Sequence, residues 1–153
     1  MTARDGDGWI DCVCGNKHWG LHGAAGLLLV RENQVLLQHR APWVHSGDTW
    51  GIPGGARDSH ENAEEAAIRE AVEEIGIDPL LLAPIHHYLD DHSAWSYTTI
   101  IASADANLVA HELNEESAQV AWVERESVAS MNLHPSFASS WPSLLALLTE
   151  LGI

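Results

Sequence analysis

The chain has 153 residues, with 7 Lys+Arg against 22 Asp+Glu and a net charge of −15. That length fits one domain with a substantial core. The charge excludes a protein that grips nucleic acid or an anionic membrane through basic surface, but leaves room for a small anionic substrate if metal cations supply the positive charge.

Residues 1–8 are polar and rich in Gly and Asp, which predicts a loose tail. The opening MTARDGDGW has no hydrophobic signal region, and apolar runs such as Gly23–Val30 are far too short to span a bilayer. The expectation is a cytoplasmic protein. Two cysteines, Cys12 and Cys14, cannot build a disulfide framework. In CVCGNKHWGLH they stand with His18 and His22 in a C-x-C-x3-H-x3-H array, a ligand set suited to a structural, tetrahedral Zn²⁺. The common knuckle is C-x2-C, so the competing reading is two small core cysteines and two turn histidines.

From Trp9 to Arg40 the pattern is of short strands, with Gly26–Val30 and Val35–His39 forming a hairpin around RENQ. Residues 41–49 read as a loop. A Gly/Pro loop follows, then a helix from about Asn62 to Ile75. Asn62 with Glu65 fits a capping box, and Gly76 fits the residue that ends the helix. Ile85–Asp91, Trp95–Ser103 and Gln119–Glu124 read as strands, His111–Ser117 as an acidic loop, and Ser127–Met131 as a helical turn. Pro135–Leu151 reads as a terminal helix that Pro142 either splits or starts. Strands mixed with helices, without repeats or linkers, indicate a single α/β or α+β layered domain.

The middle helix carries an anomaly. At 100° per residue from Ala63, Ile68, Ala71, Val72 and Ile75 fall between about 80° and 180° and predict the packing face. Glu70, Glu73 and Glu74 converge on another face, over a floor of Ala63, Ala66 and Ala67. Like charges at i, i+3 and i+4 repel, and two of the three lie at the negative end of the helix dipole. A hard divalent cation such as Mg²⁺ would relieve them. The bland alternative is a solvated acidic face.

The spacing Gly55, five residues, Glu61, seven residues, then Arg69-Glu70-Ala71-Val72-Glu73-Glu74-Ile75-Gly76-Ile77 resembles the Nudix box, with every fixed position present. Ala71 is a small residue where a larger aliphatic is usual. The resemblance, to small MutT-type Nudix hydrolases, extends roughly from Gly23 to the C-terminus. It implies a Nudix fold, a mixed β-sheet sandwiched between helices. It also implies Mg²⁺-dependent cleavage of a nucleoside diphosphate linked to another moiety, with Mn²⁺ able to substitute. By position it makes Glu70 and Glu74 metal ligands, Glu73 a third ligand or one acting through water, and the Gly55 carbonyl a further ligand. It pairs Glu61 with Arg69 as a structural brace. The general base is left between Glu70 and the loop residues Glu115 and Glu116.

Substrate contacts are more open. Arg57 could touch a phosphate. Trp43, His45 or Trp95 could stack on a base, although most of the seven tryptophans should be core. Asn132 and His134 could line a base pocket. No signature for NADH, coenzyme A, dinucleoside polyphosphates or ADP-ribose stands out. A nucleoside triphosphate, normal or damaged, is the leading expectation, giving a monophosphate and pyrophosphate. A non-catalytic nucleotide or sugar-nucleotide sensor is the alternative, and an isomerase on the same scaffold the remote third. A homodimer is left open.

Overall fold

The computed structural model describes residues 4–43, 46–111 and 117–153. In chain order they form β1 (Trp9–Asp11), β2 (Lys17–Trp19), β3 (Ala24–Arg31), β4 (Gln34–Arg40), β5 (Trp50–Gly51), β6 (Gly54–Ala56), α1 (Ala63–Ile75), β7 (Leu82–Asp91), β8 (Ser96–Ala104), β9 (Ser117–Glu124) and α2 (Pro135–Leu151). Single 3-10 turns lie at Pro79–Leu81 and Arg125–Ser130. The sheet is mixed. β3 runs parallel to β8 from Ala24↔Tyr97 to Val30↔Ser103, and the other pairings are antiparallel.

β3 is the central strand, with residues 24–30 all buried. Successive side chains point to opposite faces. Leu27 and Leu29 therefore pack with Ile100 and Ala102 against Ala66, Ala67, Ala71 and Ile75 of α1. Leu28 and Val30 pack with Val35, Leu37 and Ile101 against Phe137, Trp141, Leu144 and Leu148 of α2. The sheet is thus sandwiched between two helices, an α+β architecture. On its other edge β3 changes partner: Ala24–Gly26 pair with β6, while Val30 and Arg31 pair with β4.

α1 is delimited by its caps. The Asn62 side chain accepts the Glu65 amide (2.8 Å), the Glu65 carboxylate accepts the Asn62 amide (3.0 Å), and Gly76 takes the left-handed conformation (φ 63°). Its packing face differs from the one that hydrophobicity indicates. The buried residues are Ala66, Ala67, Ala71, Glu74 and Ile75, an arc from about 300° through zero to about 120° on the scale used above. Ile68 and Val72 are only partly buried. Ala66 and Ala67 are therefore core rather than an open floor, and Glu70 and Glu74 are carried under the helix toward the sheet. Alanines let helix and strand backbones approach closely, which larger aliphatics would prevent.

α2 runs unbroken through Pro142, with Pro135 in its first turn. Pro135 suits that place because its missing N–H would have had no partner there. Residues 4–8 depart from the loose tail expected. The Gly6 amide donates to Asp58 Oδ1 (3.0 Å), and the Ser59 amide donates to Asp5 Oδ1 (2.9 Å). The Leu21 amide donates to the Gly6 carbonyl (2.8 Å). No helix among the described residues is long and apolar enough to cross a membrane.

Candidate active site

Three glycine-rich residues of β6 meet the last turns of α1. The Gly54 amide donates to Glu74 Oε2 at 2.9 Å. Gly55 lies against Glu70 so closely that a Cβ there would stand 2.7 Å from the Glu70 carboxyl carbon. This is the reason for a glycine at position 55: the carboxylate occupies the space a side chain would take. Glu73, one step round the helix, is half exposed and paired with Arg4.

Arg69 organises the surroundings. Its Nε and Nη2 donate to Glu61 (2.6 and 2.8 Å), its Nη1 to Glu70 Oε1 (2.8 Å), and its Nη2 also to the Ala56 carbonyl (3.1 Å). Glu61, 8% exposed, also accepts the Asp58 amide (3.0 Å). The brace therefore ties the loop, β6 and α1 together. Arg69 holds the Glu61 carboxyl below its ordinary value, outweighing burial. Glu70 goes the other way. Burial raises its pKa, Arg69 opposes that, and the neighbouring Glu73 charge adds to the rise. Two carboxylates nine residues apart on either side of one guanidinium are thus displaced in opposite directions. Beneath them lies Tyr97, whose hydroxyl is raised by burial and then by the Glu74 and Glu70 charges.

Glu70, Glu73, Glu74 and the Gly55 carbonyl could together offer an oxygen-only set of the kind that hard divalent cations prefer. The fit rests on the glycine cradle, which leaves the Glu70 carboxylate room beside the strand backbone. Glu115 and Glu116 lie outside the described residues, as does His45.

The substrate candidates are spread out. Arg57 donates through Nε to the His22 carbonyl (3.1 Å) and through Nη1 to the Glu61 carbonyl, so much of its guanidinium holds backbone rather than facing a phosphate. Trp43 is 74% exposed in the loop between β4 and β5. Trp95 is not a free stacking surface. Its ring lies on His18, 4.1 Å between centroids and 5° from parallel. Asn132 and His134 bracket β5. The Trp50 amide donates to the Asn132 carbonyl and the His134 amide to the Trp50 carbonyl (both 2.8 Å), while Asn132 Nδ2 donates to the Asp48 carbonyl (2.8 Å). His134 Nδ1 accepts the Ser136 amide at the start of α2 (3.2 Å).

Cys12, Cys14 and His18 come together near Trp95, whereas His22 stands outside their cluster. The exposed Cys14 thiol is lowered to about 6, chiefly by its bond to His18 and then by the Asn16 backbone.

Arg4, Asp58 and Tyr97 are the site neighbours that sequence reasoning missed. Tyr97 had a detectable signal in the alternation of SAWSYTT, which turns it to the same side as Trp95. Arg4 had none, because it reaches Glu73 only through the fold.

The NUDIX domain family model matches residues 20–144. The crystal structure of a Nudix hydrolase from M. smegmatis, RenU, superposes with a TM-score of 0.86 at 44% identity, covering 95% of this chain and 96% of that one. A protein of Mycobacterium tuberculosis strain H37Rv, provisionally named 8-oxo-dGTP diphosphatase 3, is 46% identical over 157 residues, covering 94% of this chain and 71% of its own. A Nucleoside triphosphate pyrophosphatase/Nudix hydrolase fusion protein of Bifidobacterium longum is 41% identical over 158 residues, and this chain spans 33% of its length. With the match covering most of its residues, the chain belongs to the Nudix hydrolase family.

Proposed function

We propose that this chain is a Mg²⁺-dependent pyrophosphohydrolase whose substrate is a nucleoside triphosphate, an oxidised one included, and whose products are the nucleoside monophosphate and pyrophosphate. The observation that carries the reading is the meeting of the α1 carboxylates with the β6 backbone: Glu70 against Gly55 and Glu74 on the Gly54 amide. The naming of relatives as 8-oxo-dGTP diphosphatases supports the substrate class.

Mg²⁺, or Mn²⁺ in its place, would offset charge on the phosphate chain and make a bound water more acidic. Glu70, Glu73, Glu74 and the Gly55 carbonyl would hold it. The chain's own part in the reaction is positional. Arg69 occupies Glu70 Oε1, which leaves Oε2 to accept a proton from the attacking water. The water oxygen forms a bond to phosphorus, the bridging P–O bond breaks, and the leaving pyrophosphate carries the electron pair away. Burial of Glu70 makes it a better base than an exposed carboxylate. Glu61 stays ionised and fixes Arg69, so that Glu70 does not swing away.

Glu70→Gln should lower kcat by about 10²–10⁴-fold while the circular dichroism spectrum is unchanged. Pyrophosphate release from a nucleotide panel with Mg²⁺ is the readout. Full turnover in both Glu70→Gln and Glu74→Gln would sink the assignment. The complete set of glutamates weighs against a non-catalytic sensor, which has no need of a converging acidic face.

A further inference from the structure

The β1–β2 hairpin is a separate two-stranded sheet of three-residue strands, with Trp9 and Trp19 both exposed. A hairpin this short is marginal in water without an added staple. Cys12 and Cys14 lie in its turn and His18 in its second strand, and one ligand atom from each lies within 4.8 Å of the others. Cys14 Sγ is 3.1 Å from His18 Nε2. The β7–β8 turn closes over the same point. Cys12 Sγ is 3.0 Å from the His92 carbonyl, and the His18 and His92 rings are 4.8 Å apart.

We propose that Cys12, Cys14 and His18, with the His92 imidazole as fourth ligand, bind one structural Zn²⁺ that fastens the β1–β2 hairpin to the β7–β8 turn. Zinc bonds of roughly 2.3 Å to sulfur and 2.0–2.1 Å to nitrogen put neighbouring ligand atoms some 3.3–4 Å apart around a tetrahedral ion. The three clustered atoms, all within 4.8 Å of one another, need shifts of about 1 Å to meet that. His92 brings the second requirement of a zinc histidine. Its Nε2 is held 3.0 Å from Asp90 Oδ2, which orients the ring and leaves the other nitrogen for a metal. His22, the ligand that spacing alone would choose, is replaced by a histidine about seventy residues further along. The site is distinct from the α1 carboxylates and does not depend on the proposed hydrolysis.

The test uses the full chain, expressed with added zinc, purified without chelator under reducing conditions, and assayed for metal by plasma mass spectrometry. The expected content is about one zinc per chain. Cys14→Ser and His18→Ala should lower it at least about tenfold, while His22→Ala should leave it unchanged. His92→Ala should weaken affinity in competition with a chromophoric chelator by about tenfold or more. Cobalt in place of zinc should give the visible bands of a tetrahedral thiolate site. If the cysteine variants fail to fold, zinc and cobalt titration of the reduced wild-type chain decides alone. Failure of that chain to compete with the chelator would overturn the site. So would zinc retained in His18→Ala, or a Cys12–Cys14 disulfide in the protein as isolated.

Discussion

Gly54 and Gly55 are adjacent and equally small, yet their substitution should fail in opposite ways. A Cβ at Gly54 would stand 2.5 Å from the Ala25 carbonyl and 2.7 Å from the Gly26 Cα, both backbone that cannot move aside. Gly54→Ala should therefore cost about 1–3 kcal/mol through overpacking, seen as a lowered Tm. A Cβ at Gly55 is met first by the carboxylate end of the Glu70 side chain rather than by backbone. Gly55→Ala should leave Tm nearly unchanged and displace that carboxylate, lowering kcat by as much as about 10²-fold. Equal losses of Tm in the two variants would contradict this division. The Glu61–Arg69 brace adds a pH dependence. The folded Glu61 pKa lies below its ordinary 4.5, so its stabilisation is present above that value and is lost as pH falls through the folded value. Measured without metal, the Tm gap between wild type and Glu61→Gln should be widest at neutral pH and shrink below about 4.5.

At the scale of elements, α1 shows what a sequence makes legible. Asn62, Glu65 and Gly76 mark its ends because caps act within a few residues of chain. Asn62→Ala should cost about 1 kcal/mol, readable in urea unfolding as a shifted midpoint with an unchanged slope. The packing face was not legible in the same way. Weighting Ile68 and Val72 for size pointed the helix some 90° away from the face that Ala67, Ala71 and Glu74 actually bury. Small residues read as weakly hydrophobic, but here their smallness sets the approach of α1 to β6. The glutamate cluster was recognised by its repulsion and spacing. That it lies beneath the helix, against glycines, emerged only with the strand in place. The bounds of α2 were readable but its continuity was not: Pro142, expected to split or start the helix, lies within it, anchored by Phe137, Trp141, Leu144 and Leu148 on both sides of the proline.

Across the whole molecule, what escaped sequence reasoning was contact between distant segments. Arg4 meets Glu73, Asp5 meets Ser59, and His18 stacks on Trp95, pairs that no local pattern announces. The two faces of the sheet, by contrast, follow from the alternation within β3 itself. That strand is hydrogen-bonded on both edges and contributes side chains to both helix-backed clusters. No opening confined to α1 or to α2 releases its backbone. In amide hydrogen exchange, Leu28, at the centre of the β8 ladder, should therefore keep its proton until the entire domain unfolds, and its exchange free energy should match the global value from denaturant unfolding. β7, paired only with β8 among the described residues, should exchange sooner. The slowest amides of β3 would then serve as a clock for complete unfolding, readable in any variant without a separate stability assay.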